Sequence, residues 1–257
     1  MTQAERRAFL IGRLLEEQPR HRDVPVPADD DGQRALLRSL MNVRPAAPIG
    51  EDFLAAQDAY LREEIAGRGV TRSAELPEIE PGICLWQGDI TTLACDAIVN
   101  AANSGMTGCY QSCHNCIDNC IHTNAGVQLR GLCADIMARQ GFEEPTGQAK
   151  ITPAFNLPCK YVLHTVGPIV SGRLTQEHRD QLASCYNACL ALAAENGCES
   201  VAFCCISTGV FGFPQREAAE IAIKTVKDYK AEHNSDIEVI FNVFRDDDYE
   251  IYRALLG

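Results

Sequence analysis

The stretch Ser200-Val-Ala-Phe-Cys-Cys-Ile-Ser-Thr-Gly-Val-Phe-Gly-Phe-Pro214 combines an apolar run, two glycines and a proline. Its first half, Ser200–Ile206, is a short apolar run typical of a buried strand. The proline that ends the stretch is well placed to open a helix, which we predict over Pro214–His233. Gly209 and Gly212 lie between the two elements, where glycine lets the backbone approach an anion closely. The stretch therefore predicts a strand–loop–helix unit whose loop either binds phosphate or is a plain turn.

The same alternation of short apolar strands and helices occupies the chain from Ile83 onward. It predicts a largely parallel mixed sheet covered by helices on both faces, a three-layer α/β/α fold. In such sheets, ligands bind beyond the carboxyl ends of the strands. The other predicted strands are Ile83–Gln87, Ala97–Asn100, Ala149–Thr152, Tyr161–Val166 and Ile237–Phe244, and the other helices are Asp118–Gln140, Thr175–Asn196 and Asp246–Leu256.

The first 66 residues contain helical patterns alone. Thr2 with Glu5 makes a capping-box pattern, and apolar residues follow it at helical spacing. Glycine and proline residues with little periodicity at 67–81 predict a linker. We therefore divide the chain into a small all-α N-terminal extension with its linker, residues 1–75, and an α/β domain, residues 76–257. The first helix ends near Leu15, the second starts at Asp29–Asp31 and is ended by Pro45 and Pro48, the third spans Gly50–Ala66, and Pro19–Pro27 separates the first two.

The composition is that of an ordinary globular protein with an acidic surface. Hydrophobic residues make up 46% and charged residues 23%, and the formal net charge is −12. A surface this acidic repels phosphate backbones, so we expect no broad electrostatic binding of nucleic acid. A membrane span needs about 18 consecutive apolar residues, which the chain lacks, so we also expect no membrane partner.

Cysteine is the compositional anomaly, with 13 residues in the chain. An odd number without a signal peptide argues against a disulfide framework and for a reducing compartment, so we predict a cytoplasmic location. Residues 109–122 stand apart because four cysteines and two histidines fall within these 14 residues. Thiolate and imidazole ligands suit zinc. The spacing alone leaves open the number of ligands, a four-ligand structural site and a redox pair formed by Cys113 and Cys116.

Polar residues also follow two of the predicted strands. Asp89 comes just after the first strand of the sheet, where a carboxylate either accepts hydrogen bonds from an amine or caps a turn. Asn100 and Asn103 flank two alanines after the next strand, and their amides suit ribose hydroxyls as well as turns. Both positions lie where a ligand of a parallel sheet is expected.

Together these segments resemble the macrodomain family, and specifically its zinc-containing microbial branch. The blocks occur in the family's order over residues 76–257, and the helical extension resembles the one found in that branch. The resemblance implies a macrodomain fold for residues 76–257. The matching blocks are Gly88–Thr91, Asp96–Asn103, Gly108–Cys109, His114–Asp118, Ile121–His122, His164–Pro168 and Ser207–Pro214.

The resemblance implies a binding site for ADP-ribose. Asp89 would bond the adenine amine, and Ile90 would contribute its backbone amide. Asn100 and Asn103 would hold the distal ribose, the sugar whose bond is cleaved. Phe211 would lie against that ribose. The residues that would wrap the pyrophosphate are Ser207, Thr208, Gly209, Val210 and Phe211.

The resemblance also implies that Cys109, His114 and Cys116 bind Zn²⁺. Three protein ligands leave a fourth coordination position open, the arrangement of a catalytic zinc. Asp118 falls where the zinc-free hydrolytic relatives keep a catalytic aspartate, and it could orient or deprotonate the attacking water. Asn103 is its expected catalytic companion. Cys113 and Cys120 are not part of the ligand pattern, although Cys113 could compete for the metal.

The implied activity is the removal of mono-ADP-ribose from modified proteins, with an ester to Asp or Glu as the expected linkage. The expected partners are ADP-ribose and an ADP-ribosylated protein. Two alternatives stay open: a module that binds ADP-ribose without cleaving it, and a deacetylase of O-acetyl-ADP-ribose. A binding module has no need for thiolates beside the distal ribose, so the metal discriminates it from the hydrolase.

Overall fold

The computed structural model describes residues 1–18, 21 and 24–257, so the predicted break at Pro19–Pro27 lies partly outside the described residues. Three helices come first, followed by alternating strands and helices. The helices are α1 (Gln3–Glu17), α2 (Asp30–Val43), α3 (Glu51–Arg68), α4 (Ile117–Ala125), α5 (Val127–Gln140), α6 (Gln176–Glu195), α7 (Gln215–His233) and α8 (Asp246–Leu256). The strands are β1 (Thr71–Arg72), β2 (Glu78–Glu80), β3 (Ile83–Gln87), β4 (Leu93–Ala94), β5 (Ala97–Ala102), β6 (Ala149–Pro153), β7 (Tyr161–Val166), β8 (Ser200–Phe203) and β9 (Glu238–Val243).

Seven strands form one mixed sheet in the order β2-β3-β9-β8-β5-β7-β6. The five central strands pair in parallel, and β2 and β6 pair antiparallel at the two edges. Strand β8 is buried throughout, as expected where helices cover both faces of a sheet. The prediction of a mixed α/β sheet, preceded by a helical region, is confirmed. Among the described helices, none is both long and apolar enough to cross a membrane.

Strands β5 and β8 are paired over two residues only, Ala97 with Val201 and Ile98 with Ala202. Strand β8 ends at Phe203, three residues before the predicted end at Ile206. Strands β5 and β8 therefore separate before their carboxyl ends, because the backbone leaves the sheet after Phe203. The loops that follow β5 and β8 therefore start at the edge where ligands bind in parallel sheets.

Two local predictions about the chain path are wrong. The single helix predicted over Asp118–Gln140 is two helices, because Gly126 has a φ of 99° and interrupts it. The linker predicted at 67–81 contains β1, which pairs in parallel with β4, and β2, which forms an edge of the main sheet. Strands of two or three residues are too short for a periodic signal. Apart from β8, which ends three residues early, the other predicted elements of the α/β domain agree with the structure to within two residues.

Helices α1, α2 and α3 enclose an apolar core of their own, which includes Leu10, Leu14, Leu37 and Phe53. Helices α2 and α3 also contact α4, so the extension lies against the α/β domain. The division of the chain between residues 75 and 76 stays a prediction.

Arg44, the C-cap residue of α2, connects the end of this helix to Glu17 of α1. Its side chain is 2% exposed and forms a bidentate pair with Glu17, at 2.7 Å from Nε and 2.6 Å from Nη2. Nη1 also donates to the carbonyl of Ala47 over 2.9 Å. The buried guanidinium therefore satisfies backbone acceptors as well as a charge.

We expect Arg44→Ala to lower the free energy of unfolding by about 2–4 kcal/mol, because it leaves buried acceptors without donors. Chemical denaturation of the full chain measures the change. Arg34→Ala on the same helix is the matched control, because Arg34 pairs with Glu64 at the surface and an exposed pair contributes at most about 1 kcal/mol. Equal losses in the two variants would contradict the prediction.

Candidate active site at the carboxyl edge of the sheet

The loop between β8 and α7 has three successive backbone N–H groups without an acceptor among the described residues, those of Gly209, Val210 and Phe211. A turn shapes this loop, in which the Gly212 N–H donates to the Gly209 carbonyl over 3.0 Å. Gly212 has a φ of 69°, a conformation that glycine adopts without strain. Successive free N–H groups of this kind attract anions, so the loop is suited to phosphate oxygens.

Ser207 begins the loop with a buried hydroxyl that has no hydrogen-bond partner within the described chain. Its φ is 65°, and Gly167 lies against it: a Cβ at Gly167 would be 2.1 Å from Ser207 Oγ. The glycine is thus required for the position of Ser207. Thr208 differs, because its N–H and hydroxyl both donate to the Cys205 carbonyl, at 3.4 and 3.0 Å. Of these two residues, Ser207 has the side chain that is free to bind a ligand.

Asp89 lies two residues after the end of β3, and both of its carboxylate oxygens accept hydrogen bonds. Oδ1 accepts the N–H and the hydroxyl of Thr91, at 2.9 and 2.6 Å, which caps the turn that follows. Oδ2 is 2.6 Å from Nη1 of Arg68, the last residue of α3. Oδ2 can still accept one more hydrogen bond, and the neighbouring Ile90 N–H has no acceptor in the described part of the chain. An exocyclic amine could donate to Asp89 Oδ2 while a neighbouring ring nitrogen accepts from the Ile90 N–H.

Phe244 is a residue at this edge that the sequence did not single out. It directly follows β9, the neighbour of β3 in the sheet, and is 75% exposed. Its carbonyl accepts a hydrogen bond from Gln87 Nε2 over 3.5 Å, which places it beside the end of β3. An exposed aromatic ring here offers a face on which a planar base can stack. The available signal was its position as the last residue of the strand predicted over Ile237–Phe244.

Asp118 lies in the first turn of α4 and is 5% exposed. Asn100 Nδ2 donates to Oδ1 over 2.9 Å, and Asn103 Nδ2 donates to Oδ2 over 3.1 Å. Burial raises the pKa of Asp118 to about 6, against the effect of the two amide donors. The predicted ribose ligands Asn100 and Asn103 therefore meet at Asp118, where their amides fix the orientation of the carboxylate.

Two buried histidines, His164 and His122, lie close to the Asp118 carboxylate and to Asn100. Asn100 Nδ2 lies 3.1 Å from His164 Nδ1, and His164 Nε2 lies 2.9 Å from the hydroxyl of Thr152. Burial lowers the pKa of His164 to about 3, so its ring is neutral and accepts from Asn100. His122 Nε2 is 3.6 Å from Asp118 Oδ1, and burial also lowers the pKa of His122 well below its usual range. The two histidines beside the carboxylate are thus neutral, and the charge of Arg130 adds to the amide donors in favouring its ionised form.

The cysteine loop, residues 109–116, ends where α4 begins and gathers Cys109, His114 and Cys116. Their ligand atoms all lie within 4.8 Å of one another, and Cys109 Sγ is 3.6 Å from His114 Nδ1. A sulfur and a nitrogen bound to one tetrahedral zinc, with bonds of about 2.3 and 2.0 Å, are about 3.5 Å apart. Both the donor set and this spacing fit a zinc ion.

Backbone N–H groups point at both sulfurs of the cysteine loop. Gln111 donates to Cys109 Sγ and Asn119 donates to Cys116 Sγ, each over 3.4 Å. Cys116 is the N-cap of α4, where the helix dipole favours negative charge. Burial nevertheless raises the pKa of the Cys116 thiol to about 12, so a bound cation is what would keep it a thiolate.

Cys113 and Cys120 lie outside this ligand group. Cys113 Sγ faces the carbonyl of Ala35 in α2 at 3.4 Å. Cys120 Sγ accepts a hydrogen bond from Arg38, also in α2, over 3.7 Å. Neither thiol converges with the sulfurs of Cys109 and Cys116.

Comparison with known proteins gives matches along the whole chain. The family profile described as Macro domain matches residues 99–222. A protein-ADP-ribose hydrolase of Treponema medium is 60% identical and is aligned over 100% of both chains. A protein-ADP-ribose hydrolase of Staphylococcus aureus is 49% identical over 95% of this chain and 92% of its own. The Trypanosoma brucei macrodomain in complex with ADP-ribose is 30% identical, with a TM-score of 0.66 over 85% of this chain and 95% of that chain.

Proposed function

We propose that this chain, which belongs to the macrodomain family of protein-ADP-ribose hydrolases, removes mono-ADP-ribose from proteins modified at Asp or Glu. The observation that carries the proposal is the buried, amide-held carboxylate of Asp118 directly after the cysteine loop. It stands at the carboxyl edge of a sheet that also has a loop of free backbone amides.

We infer that ADP-ribose lies along this edge of the sheet. Asp89 Oδ2 and the Ile90 N–H would receive the adenine, on the face offered by Phe244. The free amides of residues 209–211 would bind the pyrophosphate, since backbone donors attract anions even on a chain with a net charge of −12. This direction brings the distal ribose toward Phe211 and Asp118.

In the reaction that we propose, Asp118 orients a water molecule and accepts its proton. The water oxygen forms a bond to the anomeric carbon of the distal ribose, and the bond from that carbon to the substrate carboxylate breaks. The electron pair leaves with the carboxylate, and the proton passes from Asp118 to solvent. Asn100 and Asn103 keep the Asp118 carboxylate in the orientation for this step.

Cys109, His114 and Cys116 would hold a zinc ion beside this carboxylate. A zinc ion held by these three residues would supply Lewis acidity to the reaction. Cys116 caps the helix whose first turn carries Asp118, so one helix start positions a ligand and the proposed base together. A module that only binds ADP-ribose needs neither group, which favours the hydrolase.

The test is an ADP-ribose release assay on proteins modified at Asp, Glu, Arg or Ser, combined with elemental analysis of the purified protein. We expect release from the Asp- and Glu-linked substrates and stoichiometric zinc. Zinc-containing protein that releases ADP-ribose from none of the substrates, although it binds free ADP-ribose, would support the binding module instead. Release from O-acetyl-ADP-ribose alone would support the deacetylase.

We expect Phe244→Leu to weaken ADP-ribose binding about 2–10-fold, because aromatic stacking contributes about 0.5–1.5 kcal/mol beyond burial. Phe244→Trp is the matched control, since it keeps an aromatic face and should bind nearly as wild type does. Isothermal titration with ADP-ribose measures both. If the Leu and Trp variants bind equally well, the ring does not contact the base.

A further inference from the structure

We propose that helix α2 of the N-terminal extension positions the cysteine loop for metal binding. In this inference, Arg38 holds His114 in place and Asn42 keeps Cys113 out of the ligand group. Both are positioning residues, since they act through the loop. The inference rests on the proposed function, because it takes the cysteine loop as the zinc site.

Arg38 connects a ligand residue to helix α4. Its Nη2 donates to the carbonyl of His114 over 2.7 Å and to Asn119 Oδ1 over 3.2 Å. Cys116 is the N-cap of α4, so the same guanidinium ties the segment of one ligand to the helix of another. Ligands on separate segments can bind one ion only while those segments keep their relative positions. Residues that hydrogen-bond to the ligand residues maintain these positions.

Asn119 extends this connection to the third ligand. The side chain is fully buried, and its Nδ2 donates to the carbonyls of Gln111 and Cys109, at 2.9 and 3.4 Å. Its backbone N–H donates to Cys116 Sγ. Arg38 and Asn119 together therefore contact all three proposed ligand residues, at the carbonyls of His114 and Cys109 and at the sulfur of Cys116.

Asn42 acts on the competing thiol. Its side chain is buried, its Oδ1 accepts the Cys113 N–H over 2.9 Å, and its Nδ2 donates to the Thr123 hydroxyl over 2.8 Å. Cys113 has a φ of 51°, a left-handed conformation that is unfavourable for a residue with a side chain. The bond from Asn42 offsets that cost and leaves Cys113 Sγ against the carbonyl of Ala35.

These contacts come from outside the residues that the family profile matches, 99–222. Arg38 and His114 are 76 residues apart in the chain. The extension therefore supplies a part of the proposed metal site that the α/β domain does not contain, which gives α2 a role beyond covering apolar surface.

The experiment measures zinc dissociation constants in the full chain by competition with a chromophoric chelator. We expect Arg38→Ala to raise the constant about 10–100-fold, the usual effect of removing a partner behind a ligand. Arg38→Lys should recover part of the loss, because one ammonium group can reach the His114 carbonyl but not also Asn119. Arg34→Ala is the matched control on the same helix and should bind zinc as wild type does.

A double-mutant cycle tests the role of Asn42. We expect Cys109→Ser to cost less zinc affinity in the Asn42→Ala background than in wild type, because the released Cys113 can replace the missing thiolate. Strict additivity of the two substitutions would overturn this part. Thermal unfolding shows which variants are folded, and if Arg38→Ala does not fold, Arg38→Lys and Arg38→Gln decide.

The outcomes separate this inference from the function on which it rests. If folded Arg38→Ala protein binds zinc as tightly as wild type while Cys116→Ala loses it, the positioning role of Arg38 is wrong and the metal site stands. If wild-type protein binds no zinc, or if Cys116→Ala binds it unchanged, the proposed metal site fails and the inference fails with it.

Discussion

Asp118→Ala should lower the rate of ADP-ribose release about 10²–10⁴-fold, the usual contribution of a positioned general base. The carboxylate is buried and is held by two asparagine amides, so a water molecule that enters the cavity left by alanine has no fixed base beside it. Binding of ADP-ribose should persist, because the adenine and pyrophosphate contacts lie on other segments. Single-turnover release and isothermal titration measure the two properties separately.

Two further variants make the Asp118 result specific. Asp118→Asn keeps the volume of the side chain and removes its basicity, so we expect nearly the same loss of rate. Asp135→Ala removes an exposed carboxylate from α5 and should leave the rate unchanged. A wild-type rate in folded Asp118→Ala protein would exclude the proposed base.

Cys116→Ser should remove both zinc and activity while α4 stays folded. Serine is a good N-cap, so the start of the helix is kept while the thiolate is lost. Structural zinc sites with four ligands bind with about 10–16 kcal/mol, so the loss of one ligand should raise the zinc dissociation constant by at least about 100-fold. Chelator competition measures zinc, and circular dichroism measures helix content.

Cys113→Ser is the matched control for Cys116→Ser, because both residues lie in the cysteine loop but the Cys113 thiol faces α2. It should retain zinc and activity. Removal of zinc from wild-type protein by a chelator should reproduce the Cys116→Ser defect, and added zinc should restore only the wild type. Full activity of metal-free wild-type protein would contradict the zinc requirement.

Much of the fold could be predicted because its strands are short apolar runs and its helices have apolar residues at helical spacing. Tyr161–Val166 and Asp246–Leu256 were predicted to the residue. The interruption at Gly126 was missed because apolar residues continue through it and one glycine is tolerated inside a helical pattern. The pairing of Thr71–Arg72 with Leu93–Ala94 was missed because a strand this short has no periodicity.

The candidate site divides in the same way. Segments that follow strands, such as Asp89 and the loop from Ser207, were identified because the ends of parallel strands meet at one edge. The contacts of Arg68 with Asp89 and of Arg38 with His114 were not identified. A single arginine on a polar helix face gives no indication of its partner. Long-range pairs of this kind depend on how the extension docks, which pattern alone does not specify.

The strand order has a consequence for the synthesis of the protein. Strand β3 lies early in the chain, yet its parallel partner is β9, and Asn242 of β9 bonds the carbonyl of Trp86 across 156 residues. On the ribosome, β3 can therefore pair only with the short edge strand β2 until residues 238–243 have emerged, and such distant parallel pairing is slow. Asp89 and Phe244 come together only at that moment. A nascent chain stalled before Glu238 would expose the open edges of β3 and β8, which favours aggregation and capture by chaperones.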